Sequence, residues 1–229
     1  MNVTAADDRI LMLDRDGAEL WPGAASGHLE AIVRALASQP GDQAGVRLTG
    51  ISVLSDLLGA QGQIGVRVAG TLGSATRPVR MILFDKSAAT NWALGWHQDR
   101  TIVIRKRVEV PGFGPWTMKS GLPHVAPPIE LLERMMTIRI HLDAVPITNA
   151  PLLIAPGSHQ LGRVPEAEIE SAVARHGAVA CLAEVGDVWA YSTPILHASD
   201  AAAEPRRRRV VQVDYAAEDL PGGLEWLGI

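Results

Sequence analysis

Asn91-Trp92-Ala93-Leu94-Gly95-Trp96-His97-Gln98-Asp99 sets an imidazole and a carboxylate two residues apart, beside two tryptophans. In an extended chain, residues i and i+2 point to the same side. His97 and Asp99 can therefore grip one metal ion from adjacent corners of an octahedron. A second imidazole from a distant strand completes one face and leaves the other positions open. That two-histidine, one-carboxylate face is the usual site of a non-haem Fe(II) that activates O₂. The flanking tryptophans suit the wall of a dry site.

The third ligand is expected from a late strand. Ile195-Leu196-His197-Ala198-Ser199 offers one, after the turn-prone Gly186-Asp187 and a strand, and Arg208 follows it. A rival tripeptide, His141-Leu142-Asp143, lies in between. Its segment alternates. Ile138, Ile140 and Leu142 form an apolar set, while Thr137, Arg139, His141 and Asp143 form a polar one. The apolar face is expected to pack on core and the polar face to line a lumen. A His-x-Asp tripeptide alone also suits two solvated residues at a strand end.

Outward from these motifs, the chain divides into helices and then strands. Ile10–Leu13 reads as a short strand before the turn Asp14–Gly17. Ser26–Ser38 has helical spacing, with Leu29, Ile32, Val33 and Leu36 on one face, and Pro40-Gly41 ends it. Residues 48–58 and 61–72 read as two more short helices. Strands are expected at Val79–Phe84, Thr101–Ile104, Met135–Asp143, Leu152–Ile154, Asp187–Tyr191, Ile195–His197 and Arg208–Tyr215. Ile129–Arg134 and Glu166–His176 read as helices. The pattern predicts a mainly β fold with flanking helices, an antiparallel sandwich or barrel buttressed from its N-terminal side. Residues 1–229 are read as one domain, with a helical buttress over about 20–75 and a β core over about 78–216.

The bulk numbers narrow the function classes. The chain has 229 residues, 47% hydrophobic and 20% charged, enough for a real core, and a net charge of −4. No basic excess points to nucleic acid or an anionic membrane. The Arg206–Arg209 cluster is local and, read alone, is a solvated surface run. With the single cysteine Cys181 no intramolecular disulfide forms, a reducing compartment fits, and its apolar neighbours make it a small core residue. No apolar run reaches the roughly 18 residues of a membrane span. Asp7, Asp8, Arg9, Asp14 and Asp16 are wrong for a signal peptide, so a cytoplasmic location is expected.

Trp96-His97-Gln98-Asp99 is joined by Asn149-Ala150-Pro151-Leu152 leading to Pro156-Gly157-Ser158-His159, and by His197-Ala198-Ser199 before a basic strand start. Together, in this order from about Val79 to Tyr215, they resemble the phytanoyl-CoA dioxygenase family, which includes ectoine hydroxylase. The resemblance implies a double-stranded β-helix, the jelly roll of cupin-like proteins. It implies Fe(II), 2-oxoglutarate as co-substrate, O₂, and a small-molecule substrate. It makes His97, Asp99 and His197 the metal-binding and catalytic set. It puts the strand with His141 and Asp143 in the pocket wall.

The same resemblance places a 2-oxoglutarate-binding serine two residues after the distal histidine, Ser199, and an arginine eleven after it, Arg208. An arginine fork matches a carboxylate in two parallel hydrogen bonds. Arg206, Arg208, Val210 and Gln212 share one phase of the last strand, with Arg206 the fallback for a register error. Asn91 either binds 2-oxoglutarate, orients a ligand, or caps the turn. Arg139 and His141 either touch substrate or 2-oxoglutarate, or pair with buried carboxylates. His159 is read as turn-stabilising, and His28 and His176 as surface residues. His124 falls in the Gly/Pro-rich loop Pro111–Pro128, a lid candidate. An aspartate at position 99 favours hydroxylation over halogenation. Desaturation, epoxidation, cyclisation, or a non-catalytic binding module on the same scaffold stay open, as does the oligomeric state.

Overall fold

In chain order the strands are β1 (Val3–Ala5), β2 (Ala18–Trp21), β3 (Val46–Arg47), β4 (Arg77–Lys86), β5 (Leu94–His97), β6 (Ile102–Val103) and β7 (Trp116–Lys119). They continue as β8 (Leu122–Val125), β9 (Met136–His141), β10 (Leu152–Ile154), β11 (Ala178–Cys181), β12 (Val188–Ser192), β13 (His197–Ser199) and β14 (Arg208–Ala216). The helices are α1 (Leu13–Asp16), α2 (Leu29–Ala35), α3 (Ser52–Leu58), α4 (Gly65–Leu72), α5 (Ile129–Glu133) and α6 (Ile169–His176). The computed structural model describes residues 3–5, 10–40 and 45–229. The acidic Asp7-Asp8-Arg9 stretch and the Gly41 half of the helix stop lie outside the described residues.

Two mostly antiparallel sheets make the body. The larger runs β2-β12-β9-β14-β4-β3, the smaller β1-β11-β10-β13-β5, and β6-β8-β7 form a third. Paired residues of an antiparallel ladder share a face. In the larger sheet, Arg80, Ile82, Phe84 and Lys86 of β4 therefore line up with Asp214, Gln212, Val210 and Arg208 of β14. Thr137, Arg139 and His141 of β9 continue the same rows. The alternate residues Met81, Leu83, Ile138, Ile140, Val211 and Val213 take the outer face. There they pack on Ile32, Leu36, Leu54, Leu58, Ile64 and Val68 from the N-terminal helical region. Each such aliphatic side chain, fully buried, contributes about 1.5–3 kcal/mol. The expected division of β9 into an apolar outer and a polar inner face is what the register shows.

The inner face is apolar at one end only. Leu152, Ile154, Val179 and Cys181 of the smaller sheet pack there on Ala18, Trp189 and Tyr191 of the larger. Cys181 is buried and free, as its apolar neighbours predicted. At the other end the rows of Arg208, Arg139 and Arg80 face the strands that carry the histidines.

Three local expectations are corrected. Ile10–Leu13 is not a strand; the chain instead makes one helical turn, Leu13–Asp16, closed by Gly17 at φ 76°. The Asp16 carboxylate accepts from the Met12 N–H at 2.9 Å, which favours that turn over an extended chain. Pro111–Pro128 is not a continuous loop. Ser120 and Gly121, both at positive φ, turn β7 back onto β8, and His124 sits buried on β8. The left-handed pair in a two-residue turn matches strand twist and selects a hairpin. The late metal-site strand is His197–Ser199, not Ile195–His197. The Ile195 N–H donates to the Ser192 carbonyl at 3.0 Å and the Leu196 N–H to Ser158 Oγ at 2.9 Å, so the ladder begins only at His197.

Candidate metal centre

His97 and His197 face each other across the smaller sheet. β13 pairs with β5 in the register His197↔His97, and the ring centroids lie 4.2 Å apart. Asp99 follows just beyond β5. One donor atom from each of His97, Asp99 and His197 lies within 4.8 Å of the others, the one such group among the described residues. His141 and Asp143 form no part of it. The Asp143 carboxylate is bound by Arg209, and His141 lies on the neighbouring wall.

Each imidazole is oriented through its second nitrogen. His97 Nδ1 lies 2.8 Å from the Gly95 carbonyl and His197 Nδ1 3.0 Å from the Ile195 carbonyl. Donation from Nδ1–H leaves both Nε2 lone pairs free, the tautomer a metal requires. Burial, then the neighbouring His97, pushes His197 down to about 4, so it stays neutral at ordinary pH. Burial acts to raise the Asp99 carboxyl, but Arg80 and then both histidines outweigh it and hold Asp99 below its usual value. Gln98, between the two ligands, turns to the other side. Its amide donates to the Gly162 and Pro194 carbonyls at 2.9 and 2.8 Å and accepts from Val164 N–H at 3.0 Å, locking the tripeptide. Ser158 of the Pro-Gly-Ser-His turn accepts from Leu196 N–H at 2.9 Å and so steadies the strand before His197. His159 packs on Gly17, where a Cβ would meet its ring at 2.3 Å.

Beside the triad lies a cradle of buried cations. Lys86, Arg139 and Arg208 come from three adjacent strands and sit on one face. None forms an ion pair among the described residues. Lys86 Nζ donates to the Trp92 carbonyl at 2.7 Å and to Ser199 Oγ at 3.2 Å, with the Trp92 ring 4.7 Å away. Arg208 donates to the Ala150 carbonyl, and its Nε has no partner. Arg139 donates to Gln212 Oε1 at 3.3 Å over the Phe84 ring, and its Nε is also unpartnered. Both ring nitrogens of His141 are buried and unbonded. Burial, then Arg208 and Arg139, pushes Lys86 down to about 8, with Asp200 offsetting only in part. Burial, then Arg139, pushes Arg208 down to about 9. An arginine does not surrender its proton at neutral pH. With the Nε of Arg208 and of Arg139 unpartnered, the cradle holds charge without a counter-anion among the described residues. Buried polar groups are otherwise almost always satisfied, so these orphans fit a dicarboxylate.

The remaining expected residues are placed as follows. Ser199 lies in the cradle, donating to Ala150 at 3.4 Å and receiving Lys86. Asn91 does not face the cradle with a free group. Its amide donates to the Ala202 carbonyl at 3.0 Å and accepts from Ala202 N–H at 2.7 Å. Arg206 is exposed, ahead of β14, and its pair is Glu204. Trp92 covers Lys86, whereas Trp96 points away from the metal side and packs on Leu153 and Ala198. Tyr191, 5.9 Å from His197, supplies a wall instead. Sequence reasoning missed Lys86, Arg80 and Asp214. A period-two reading of Arg80, Ile82, Phe84 and Lys86 would have shown charges at both ends of one strand face. A cleft of about 1010 Å³ opens elsewhere, beside Leu13, Leu72 and Met136, and the triad takes no part in it.

Residues 66–210 match the family described as Phytanoyl-CoA dioxygenase (PhyH). The chain belongs to this family. EctD from S. alaskensis superposes with a TM-score of 0.63 at 18% identity, covering 93% of this chain and 77% of that one. HygX from Streptomyces hygroscopicus, solved with nickel and 2-oxoglutarate, gives 0.59 at 15%, covering 89% and 84%. SnoN from nogalamycin biosynthesis, described as a non-heme alpha ketoglutarate dependent epimerase, gives 0.59 at 17%, covering 92% and 85%. Comparison with curated protein sequences finds no match. The fold is the double-stranded β-helix of these proteins, and the chain is an oxygenase of the Fe(II)- and 2-oxoglutarate-dependent class. No helix among the described residues is long and apolar enough to cross a membrane.

Proposed function

We propose that this phytanoyl-CoA dioxygenase family member hydroxylates an unactivated C–H bond of a small molecule, with residues 1–229 acting as one catalytic unit. One observation carries the site assignment: a His-Asp-His group within 4.8 Å stands beside buried cations that lack an anion. His97, His197 and one oxygen of Asp99 hold the iron. Arg208, with Ser199, Lys86 and Arg139, holds 2-oxoglutarate. Iron and 2-oxoglutarate, when bound, supply O₂ activation and C–H oxidation, with succinate and CO₂ released.

The chain contributes geometry, dryness and charge. The His197 imidazole, neutral at ordinary pH, offers a lone pair without a proton to displace. The cation cradle fixes the co-substrate in one direction, since charge-assisted bonds to a carboxylate are about twice as strong as neutral ones. Tyr191 and the apolar end of the inner face keep water from the reacting atoms. Asp99 supports hydroxylation, because a carboxylate ligand occupies the place a halide would need. EctD has been solved with 2-oxoglutarate and 5-hydroxyectoine, and HygX with nickel, 2-oxoglutarate and hygromycin B. The small molecules bound in those proteins support a small-molecule substrate here.

The test supplies Fe(II), 2-oxoglutarate and O₂ to the protein with a panel of small metabolites and measures succinate and product mass. Hydroxylation gives a product richer by an oxygen atom; desaturation or epimerisation does not. H97A and D99A should each abolish turnover while the far-UV circular dichroism stays unchanged. Full activity in either variant removes the assignment. Absence of 2-oxoglutarate binding in the wild type favours a binding module.

A further inference from the structure

Arg80, Asp214 and Thr137 occupy one cross-strand row over β4, β14 and β9, directly behind the metal-site carboxylate. The Arg80 guanidinium is forked. Its Nε donates to Asp214 Oδ2, and its Nη2 donates to Asp99 Oδ2 at 3.2 Å. The other Asp214 oxygen accepts from Thr137 Oγ1 at 3.1 Å, and Thr137 meets Thr193 Oγ1 at 3.1 Å. The side chains of Arg80 and Asp214 are 10% and 5% exposed. Arg80 therefore cannot swing to solvent without leaving the buried Asp214 carboxylate without its counter-charge.

We propose that Arg80 is a positioning residue that reserves one oxygen of Asp99, so that the carboxylate meets the metal through the other oxygen alone. The proposal rests on the metal-centre reading and deepens it. A facial triad works only if the remaining metal positions stay open. A carboxylate free to turn can bind through both oxygens and close one of them. Arg80 removes that freedom, and Asp214 with Thr137 removes the freedom of Arg80. The row also explains why a buried acid sits at position 214 on a face otherwise cationic. It balances the guanidinium, so Asp99 keeps its own negative charge for the metal.

The balance allows a clean test. R80M/D214N deletes one positive and one negative charge together and leaves the net charge at the site unchanged. Pure electrostatics then predicts unaltered metal affinity, and R80M alone would even bind a cation more tightly. Loss of outer-shell orientation predicts weaker binding, about 10–100-fold. Co(II) is titrated anaerobically into wild type, R80M/D214N and H97A. Visible absorption reports affinity and coordination number, and far-UV circular dichroism reports the fold. A changed Co(II) spectrum in R80M/D214N with an unchanged fold supports the brace: weakening beyond about threefold reports lost orientation, and a higher coordination number at equal or tighter affinity reports a carboxylate now bound through both oxygens. An unchanged spectrum, or affinity within about threefold of wild type or tighter with no added ligand, overturns it. Should R80M/D214N not fold, R80K is read by the same criteria, since it keeps the charge and loses the planar fork. A wild type that binds Co(II) no better than H97A overturns the metal centre itself, and the brace with it.

Discussion

Replacing Arg208 by methionine should stabilise the protein without its co-substrate and abolish most of the stabilisation that the co-substrate brings. Arg208 is 2% exposed, has an unpartnered Nε, and lies near two other buried cations, Lys86 and Arg139. A buried charge lacking its partner is a net cost, and an apolar side chain of similar length relieves it. Set against the lost bond to Ala150, the gain is about 1–2 kcal/mol. With 2-oxoglutarate the order reverses. Removing one member of a buried charge pair costs about 2–3 kcal/mol here, at the low end because Lys86 and Arg139 remain. That is a roughly 30–150-fold weaker dissociation constant. At a co-substrate concentration about 100 times the wild-type constant, the wild type gains about 2.7 kcal/mol and R208M about 1 or less. For a chain of this size the shifts are about 5–10 °C against about 2–4 °C or less. Differential scanning fluorimetry with Mn(II) in place of iron, with and without 2-oxoglutarate, reads all four states. R206M serves as control and should respond like wild type. An R208M shift equal to the wild-type shift refutes the clamp, and a lost shift confined to R206M refutes the register.

Further outcomes follow for Lys86 and for Asn91. Lys86 sits near pKa 8, below an ordinary lysine, so above that pH it is neutral in the folded chain while still charged in an unfolded one. Folding stability from this group therefore rises as pH climbs from about 8 toward the ordinary lysine value of about 10.4. Affinity for 2-oxoglutarate, which needs the ammonium form, should fall over the same climb. Isothermal titration across pH 7–9 in K86M should lose that slope, and a slope kept in K86M would exonerate Lys86. N91A should cost about 1 kcal/mol of stability through the lost Ala202 strap while leaving 2-oxoglutarate affinity unchanged. A clear drop in that affinity would restore the co-substrate role expected from the sequence.

The boundary between the legible and the hidden follows the range of each interaction. His97 and Asp99 were legible because their relation is local: two residues in one extended segment share a side. The two faces of Met136–His141 were legible for the same reason. Phase alone put Arg208 with Gln212, and the ladder β14–β9 bears that out through the Gln212↔Arg139 pair. Ser120-Gly121 carried a hairpin signal that the surrounding glycines and prolines masked. For Asn91 the sequence left 2-oxoglutarate binding, ligand orientation and turn capping open, because its partner, Ala202, lies 111 positions away.

By itself the amino-acid order determined which side chains share a face, where helices give way to strands, and which motif set points to an iron centre. Only the tertiary structure decided that Lys86, Arg139 and Arg208 crowd into one cradle and that Arg80 leans on Asp99 with Asp214 behind it. The physical reason is register. Alternation along a strand is a property of neighbouring residues, but which rows of different strands meet depends on ladder pairings set by the packing of the whole sheet.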